Sequence, residues 1–246
     1  MNTLRPDPIN QIWLIDLDRS AAPLNDSEAT CPRLAPAEIA RLQAIADPAS
    51  QRLRRAAYIA QRLALERHFG PALRGVNLRR DAHGRPHLPP GHTGSVSLAH
   101  TANLALIAVS NAPRIGADLE STRPIRMTPA RRHIIETAAA NLSPQALPLD
   151  PDARFLQAWT RLEALAKADG HGIGHILTAI GAVGQPCGAP ADPVRQSATA
   201  TLAKSHGLHI HDLDAGPGLY AALAGNAQRP ALNRVTGDLS ALLLPA

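Results

Sequence analysis

Phe155-Leu156-Gln157-Ala158-Trp159-Thr160-Arg161-Leu162-Glu163-Ala164-Leu165-Ala166-Lys167-Ala168-Asp169-Gly170-His171-Gly172-Ile173 predicts a helix that stops at glycine. Phe155, Leu156, Trp159, Leu162 and Ala166 recur at three- and four-residue spacing, which sets one apolar face against a core. Gly170 and Gly172 supply positions free to take the positive φ at which helices end. Glu163 and Lys167 stand four apart and project from neighbouring turns of one side. By themselves they would make an ordinary solvent-exposed ion pair of little consequence.

A second stretch changes that reading. Ile115-Gly116-Ala117-Asp118-Leu119-Glu120 follows the apolar run Leu104 to Val109 and reads as a strand. Residues two apart on a strand share a face, so Asp118 and Glu120 point one way and Ala117 and Leu119 the other. Neighbouring carboxylates repel unless a cation lies between them. Gly116, lacking a side chain, allows backbone or ligand to approach closely. With Glu163 and Lys167 these residues make a three-carboxylate site suited to Mg²⁺, a hard ion that takes oxygen ligands and shares them with substrate phosphates.

The combination resembles the two signature motifs of the 4′-phosphopantetheinyl transferase superfamily, G-A-D-L-E at Gly116 to Glu120 and the stretch from Phe155 to Ile173. A third segment agrees. Gly84-Arg85-Pro86 followed by Ser95-Val96-Ser97-Leu98-Ala99-His100-Thr101 is similar to the family's G-K-P and N-x-S-H-S elements, in the same order and at matching spacing. The resemblance runs from about Arg52 to Ile173, and each piece is weaker than the set. Three positions differ: Ser97 stands where the family usually carries Asn, Ala99 where it carries Ser, and Leu162 where many members carry Lys, with Arg161 beside it as a substitute charge.

The resemblance implies transfer of 4′-phosphopantetheine from coenzyme A to a serine of an apo acyl or peptidyl carrier protein, with release of adenosine 3′,5′-bisphosphate. It implies Mg²⁺ held by Asp118, Glu120 and Glu163, and Glu163, Lys167 and His100 as the catalytic groups. Coenzyme A would be met by Arg85, Pro86, His100 and Lys167, and by Arg54, Arg55 and Arg62 of a basic helix that grips its 3′-phosphate. Either Glu163 or a water on the metal could take the serine proton. Attack on a diphosphate needs charge neutralisation more than covalent help, which these groups would supply. A Mg²⁺-dependent phosphohydrolase acting on nucleotides or coenzyme A would use the same carboxylates on water, and a non-catalytic module binding coenzyme A or a carrier is the other alternative.

Length favours the two-half, surfactin-synthetase-activating type over the small trimeric carrier-protein synthases. The expected fold is α+β, a pseudo-dimer of two similar halves, each a small antiparallel sheet packed with helices, with the active site in the cleft between them. Residues 1–112 would form the N-terminal half, 113–228 the C-terminal half and 229–246 a tail. Leu208 to Ala224 echoes Ser95 to Val109, a short strand, a turn and an Ala-Leu-rich strand, as a duplication would.

Along the chain, Gln11 to Asp18 reads as a strand, Pro36 to Ile45 and Ala49 to Phe69 as helices, and Met127 to Ala140 as a further helix. Ser95 to Leu98 pairs with Leu104 to Ser110, with His100 at the turn; Ile176 to Val183, Leu208 to Leu213 and Leu219 to Leu223 read as later strands. His206, His209 and His211 match no zinc spacing.

Composition bounds the partners. A net charge of +5 suits an acidic one, such as a carrier domain. Only 2% of residues are aromatic, which argues against single-stranded nucleic acid and its stacking platforms. Cys31 and Cys187 form no C-x-x-C, there is no apolar run of membrane-spanning length, and Met1 to Asn10 lacks the features of an export signal. The expectation is a monomer in the reducing cytoplasm.

Overall fold

A computed structural model describes residues 10–184, 193–226 and 231–243. The described elements are, in order, β1 (Asn10–Asp16), α1 (Leu17–Thr30), α2 (Pro36–Gln43), α3 (Pro48–Phe69), β2 (Arg79–Arg80), β3 (Pro86–His87), β4 (Ser95–Thr101), β5 (Leu104–Ser110), β6 (Ile115–Ser121), α4 (Pro129–Ala140), α5 (Pro151–Asp169), α6 (Gly172–Ala179), α7 (Pro193–Gln196), α8 (Ala198–Ser205), β7 (His209–Leu213), β8 (Leu219–Gly225) and β9 (Leu232–Val235). Among the described residues the fold is α+β with two main sheets, ordered β4-β5-β1-β9 and β6-β8-β7, and a small β2-β3 ribbon.

Helix α3 packs against the first sheet. Its start is fixed by Asp47, whose carboxylate accepts from the Ser50 N–H, and by Pro48 at its first position. Its buried face, including Ile59, Leu63 and Leu65, joins Trp13 and Ile15 of β1 and Ile107 and Val109 of β5 in one apolar cluster. Helix α5 does the same for the second sheet. Asp150 caps it by accepting from the Ala153 N–H at 2.8 Å, and Gly170 closes it in the left-handed conformation at φ +95°. Between α4, α6 and the sheet, α5 is buried on most sides, its apolar residues in the second cluster and Gln157, Thr160, Arg161 and Asp169 buried beside them.

A third cluster fastens the sheets together, with Ile12 and Leu106 of the first meeting Ala117, Leu119 and Leu223 of the second. Polar side chains assist it. Ser97 Oγ on β4 accepts from the Ala117 N–H on β6 at 3.0 Å, and Thr101 and Ser121 hydroxyls meet at 3.1 Å. Ser97 and Ala99 therefore serve the junction of the two sheets, Ser97 by this bond and Ala99 by burial in the third cluster.

Several sequence expectations change. The first sheet is mixed, because β9 runs parallel to β1. Part of the expected tail is thus a strand, and Val235, Leu239 and Leu242 are buried in the first cluster. Trp13 Nε1 donates to the Ala241 carbonyl at 2.8 Å, anchoring that return. Asp16 ends β1 and caps α1, a helix the alternating pattern did not announce. Ile176 to Val183, read as a strand, lies in α6 and the turn after it, since the glycines before it start a new helix rather than a sheet edge. His100 belongs to β4; the turn falls at Ala102 and Asn103, with Ala102 at φ +45°. Cys187 and Arg229 lie outside the described residues.

Candidate active site

The site begins with a missing side chain. A Cβ on Gly116 would lie 2.0 Å from the Ala164 carbonyl oxygen and 2.5 Å from the Ala168 nitrogen, so only glycine lets α5 lie this close to β6. At that distance Lys167 reaches across. Its Nζ donates to the Ala117 carbonyl at 3.1 Å and to Asp118 Oδ1 at 2.7 Å. The ion pair that spacing suggested within the helix, Glu163 with Lys167, is replaced by one between helix and strand.

Asp118, Glu120, Glu163, Lys167 and His100 line one cleft of about 730 Å³, together with Arg54, Arg85 and Pro86. Asp118 is buried, while Glu120 and Glu163 are half-buried. Burial, helped by the charges of Asp118 and Glu120 and opposed by Lys167, pushes the Glu163 carboxyl up to about 6. Three carboxylates thus feel one another, as the D-x-E strand and the helix Glu implied. His100 opens onto the cleft, and loss of surrounding water, with the charges of Arg54 and Lys167, holds its ring below the ordinary histidine value.

Not every expected arginine comes to the cleft. Arg54, Tyr58 and Gln61 line it, at the four- and three-residue steps of one face of α3. Arg55 and Arg62 lie on another face. Arg55 Nε donates to Asn25 Oδ1 at 3.0 Å, and Arg62 is buried, with Nη2 2.8 Å from Glu38 and Nη1 donating to the Leu73 carbonyl. Both therefore hold α1 and α2 onto α3. Glu66, on the same helix, pairs with Arg33 at 2.7 Å and with Arg74.

Position 161 resolves similarly. Leu162 is fully buried in the second cluster, and Arg161 is clamped by both carboxylate oxygens of Asp212 and by the Gln145 carbonyl. Arg161 contributes no charge to the cleft. Arg85 lines it but also ties its walls, donating to the Ala168 and Pro113 carbonyls at 3.1 Å each. Asp81 shapes the turn that carries Arg85, accepting from the His83 and Arg85 N–H groups.

Tyr58, Gln61, Arg80, His83, His171 and His175 also line the cleft. Tyr58 lies one turn from Arg54 on the same face of α3, a face that no local sequence signal marked. Arg80 has a stronger physical mark, because burial and the neighbouring Arg41 charge depress its guanidinium value, with Arg54 adding to the effect. Like-charged groups so gathered favour an anion among them.

Asp118, Glu120 and Glu163 offer hard oxygen donors of the kind Mg²⁺ takes, and burial first, then the Asp118 and Glu120 charges, raises Glu163. Among the described residues no three ligating side chains converge closely enough to enclose an ion, and Lys167 occupies one Asp118 oxygen. The donors fit a Mg²⁺ ion in chemistry, and one of their oxygens is already compensated by an ammonium.

No family model matches the chain. Over 177 residues, 70% of the chain and 72% of the relative, it is 32% identical to the 4′-phosphopantetheinyl transferase HetI of Nostoc sp.. It is 28% identical over 175 residues, 68% of the chain and 67% of the relative, to a protein of Synechocystis sp. whose name assigns the same activity provisionally.

Proposed function

This chain belongs to the 4′-phosphopantetheinyl transferase family, and from that premise we propose that it moves 4′-phosphopantetheine from coenzyme A to a serine of an apo carrier protein. The observation that carries the reading is a single cleft lined by three carboxylates, a lysine, three arginines and four histidines, His100 among them. We read the two sheets, each with its own helix layer, as the halves of the two-half type, with the active site in the cleft between them.

In this reading Asp118, Glu120 and Glu163 would hold Mg²⁺, which would supply positive charge to the diphosphate of coenzyme A. Lys167, one turn beyond Glu163, bears on phosphate oxygens whose charge grows during transfer. His100, kept neutral by its setting, donates a hydrogen bond to the diphosphate rather than a full charge. The Glu163 carboxylate would take the proton of the attacking serine. The serine oxygen bonds to the phosphorus that bears pantetheine, the bond to the second phosphate breaks, and adenosine 3′,5′-bisphosphate leaves. Arg54 and Arg80, which line the cleft, would meet its 3′-phosphate.

The acceptor in this reading is acidic. Arg123, which lies 3.4 Å from Glu120, and Arg126 and Arg131 are exposed and offer such a surface positive charge. Following adenosine 3′,5′-bisphosphate with and without apo carriers tests the reaction class. Release that requires a carrier supports transfer; equal release without one would identify a hydrolase.

A further inference from the structure

His171 and His175 line the cleft, and the transfer chemistry uses neither. Their ring centroids stand 5.3 Å apart with the planes at 40°. His171 is the N-cap of α6 and His175 lies four residues on, so the i,i+4 spacing sets the rings side by side. Both side chains are exposed. A pair of exposed imidazoles would ordinarily be two solvated groups.

The carboxylate beneath them is what sets this pair apart. Asp169 ends α5 with its side chain 1% exposed, and its Oδ2 lies 2.6 Å from His171 Nδ1. An ionised carboxylate only accepts, so Nδ1 carries the proton and Nε2 keeps its lone pair. This is the arrangement by which proteins fix the tautomer and raise the basicity of a metal-ligating histidine. The other Asp169 oxygen lies 3.2 Å from His206 Nε2 and 3.9 Å from Arg114 Nη1.

We propose that His171 and His175 form a two-imidazole site for a borderline divalent ion, Zn²⁺ or Ni²⁺, at the rim of the cleft. His171 binds through Nε2 and His175 through one ring nitrogen; no third ligating side chain converges with them among the described residues, so solvent or a phosphate oxygen completes the coordination. Ligand softness separates this site from the carboxylates, because imidazole suits Zn²⁺ and Ni²⁺ while carboxylate oxygens suit Mg²⁺. The proposal does not depend on which reaction the cleft performs. Asp169 is a positioning residue, acting through His171.

Isothermal titration of the untagged chain with ZnCl₂ or NiCl₂, in excess Mg²⁺ so that the carboxylates are occupied, reads the site directly. One ion should bind per chain. His171→Ala or His175→Ala should weaken binding by about tenfold or more, and Asp169→Asn by about tenfold, the usual effect of losing a ligand's partner. His209→Ala disrupts the other adjacent imidazole pair, whose centroids are 6.4 Å apart on β7, and should bind as the wild type does. Circular dichroism on each variant checks that the fold is intact, and His175→Gln, which keeps a polar side chain, repeats the test. Absence of binding in the wild type, unchanged affinity in the His171 and His175 variants, or loss in His209→Ala would each overturn the proposal.

Discussion

Lys167 donates to Asp118 across the join of α5 and β6, Nζ to Oδ1 at 2.7 Å, and not to Glu163 on its own helix. The ammonium thereby compensates one of three clustered carboxylates and stays half-exposed at the cleft. If it also bears on charge that grows during transfer, Lys167→Ala should lower kcat by about a hundredfold. KM for coenzyme A should rise much less, the pattern of an interaction made chiefly in the transition state. Steady-state kinetics on the purified variant decide it. Activity within a few-fold of wild type would reduce the lysine to a surface ion pair, which contributes under about 1 kcal/mol.

Two arginines of one helix should behave in opposite ways. Arg54 faces the cleft, so Arg54→Gln should weaken coenzyme A far more than dephospho-coenzyme A while leaving stability near wild type. Arg62 is buried against Glu38, so Arg62→Met strands a carboxylate and should cost about 3–5 kcal/mol of stability with no preference between the donors. Equal losses for both donors with Arg54→Gln would remove the 3′-phosphate from the basic helix.

Gly116→Ala should destabilise the fold by about 3 kcal/mol or more, because the added methyl meets helix backbone that cannot rotate away. The midpoint of urea denaturation measures it. An unchanged midpoint would mean that α5 can move off β6, and that Lys167 is not held to Asp118 by this close packing.

The chain should lose stability on mild acidification through His68. Burial holds its ring below the ordinary value of 6.5. The unfolded chain then takes up the proton first, so the stability present above pH 6.5 is lost as pH falls from 6.5 through the lowered folded value. His68→Gln should flatten that decline. Calorimetry of both chains across this range isolates His68 by difference, since Glu163, raised to about 6, works in the opposite sense in both. Parallel curves would contradict the assignment.

What could be read from the sequence was whatever has a local period or punctuation. Helix α5, with its buried face and its stop at Gly170, and the D-x-E strand with Gly116 were legible because alternation, three- to four-residue spacing and glycine leave marks within a few residues. That Asp118, Glu120, Glu163, Lys167 and His100 line one cleft was legible only through motif order. Which face of a basic helix meets the cleft was not: Arg54 and Arg55 are neighbours in sequence, yet one lines the cleft and the other holds Asn25. Buried partners decide that, and Glu38, which draws Arg62 inward, is distant in the chain. The parallel pairing of β9 with β1 likewise depends on contacts between the two ends of the sequence.

The central claim is that these carboxylates carry a divalent ion for transfer to a carrier serine. Intact-mass analysis of a panel of apo carrier proteins, incubated with coenzyme A, Mg²⁺ and either the wild-type chain or Glu163→Gln, tests it most directly. The account predicts that at least one carrier gains a single phosphopantetheine with the wild type, that chelating the Mg²⁺ abolishes the gain, and that Glu163→Gln, folded by circular dichroism, yields none. A carrier modified as fully by Glu163→Gln, or in chelator, would contradict it, as would a panel left wholly unmodified.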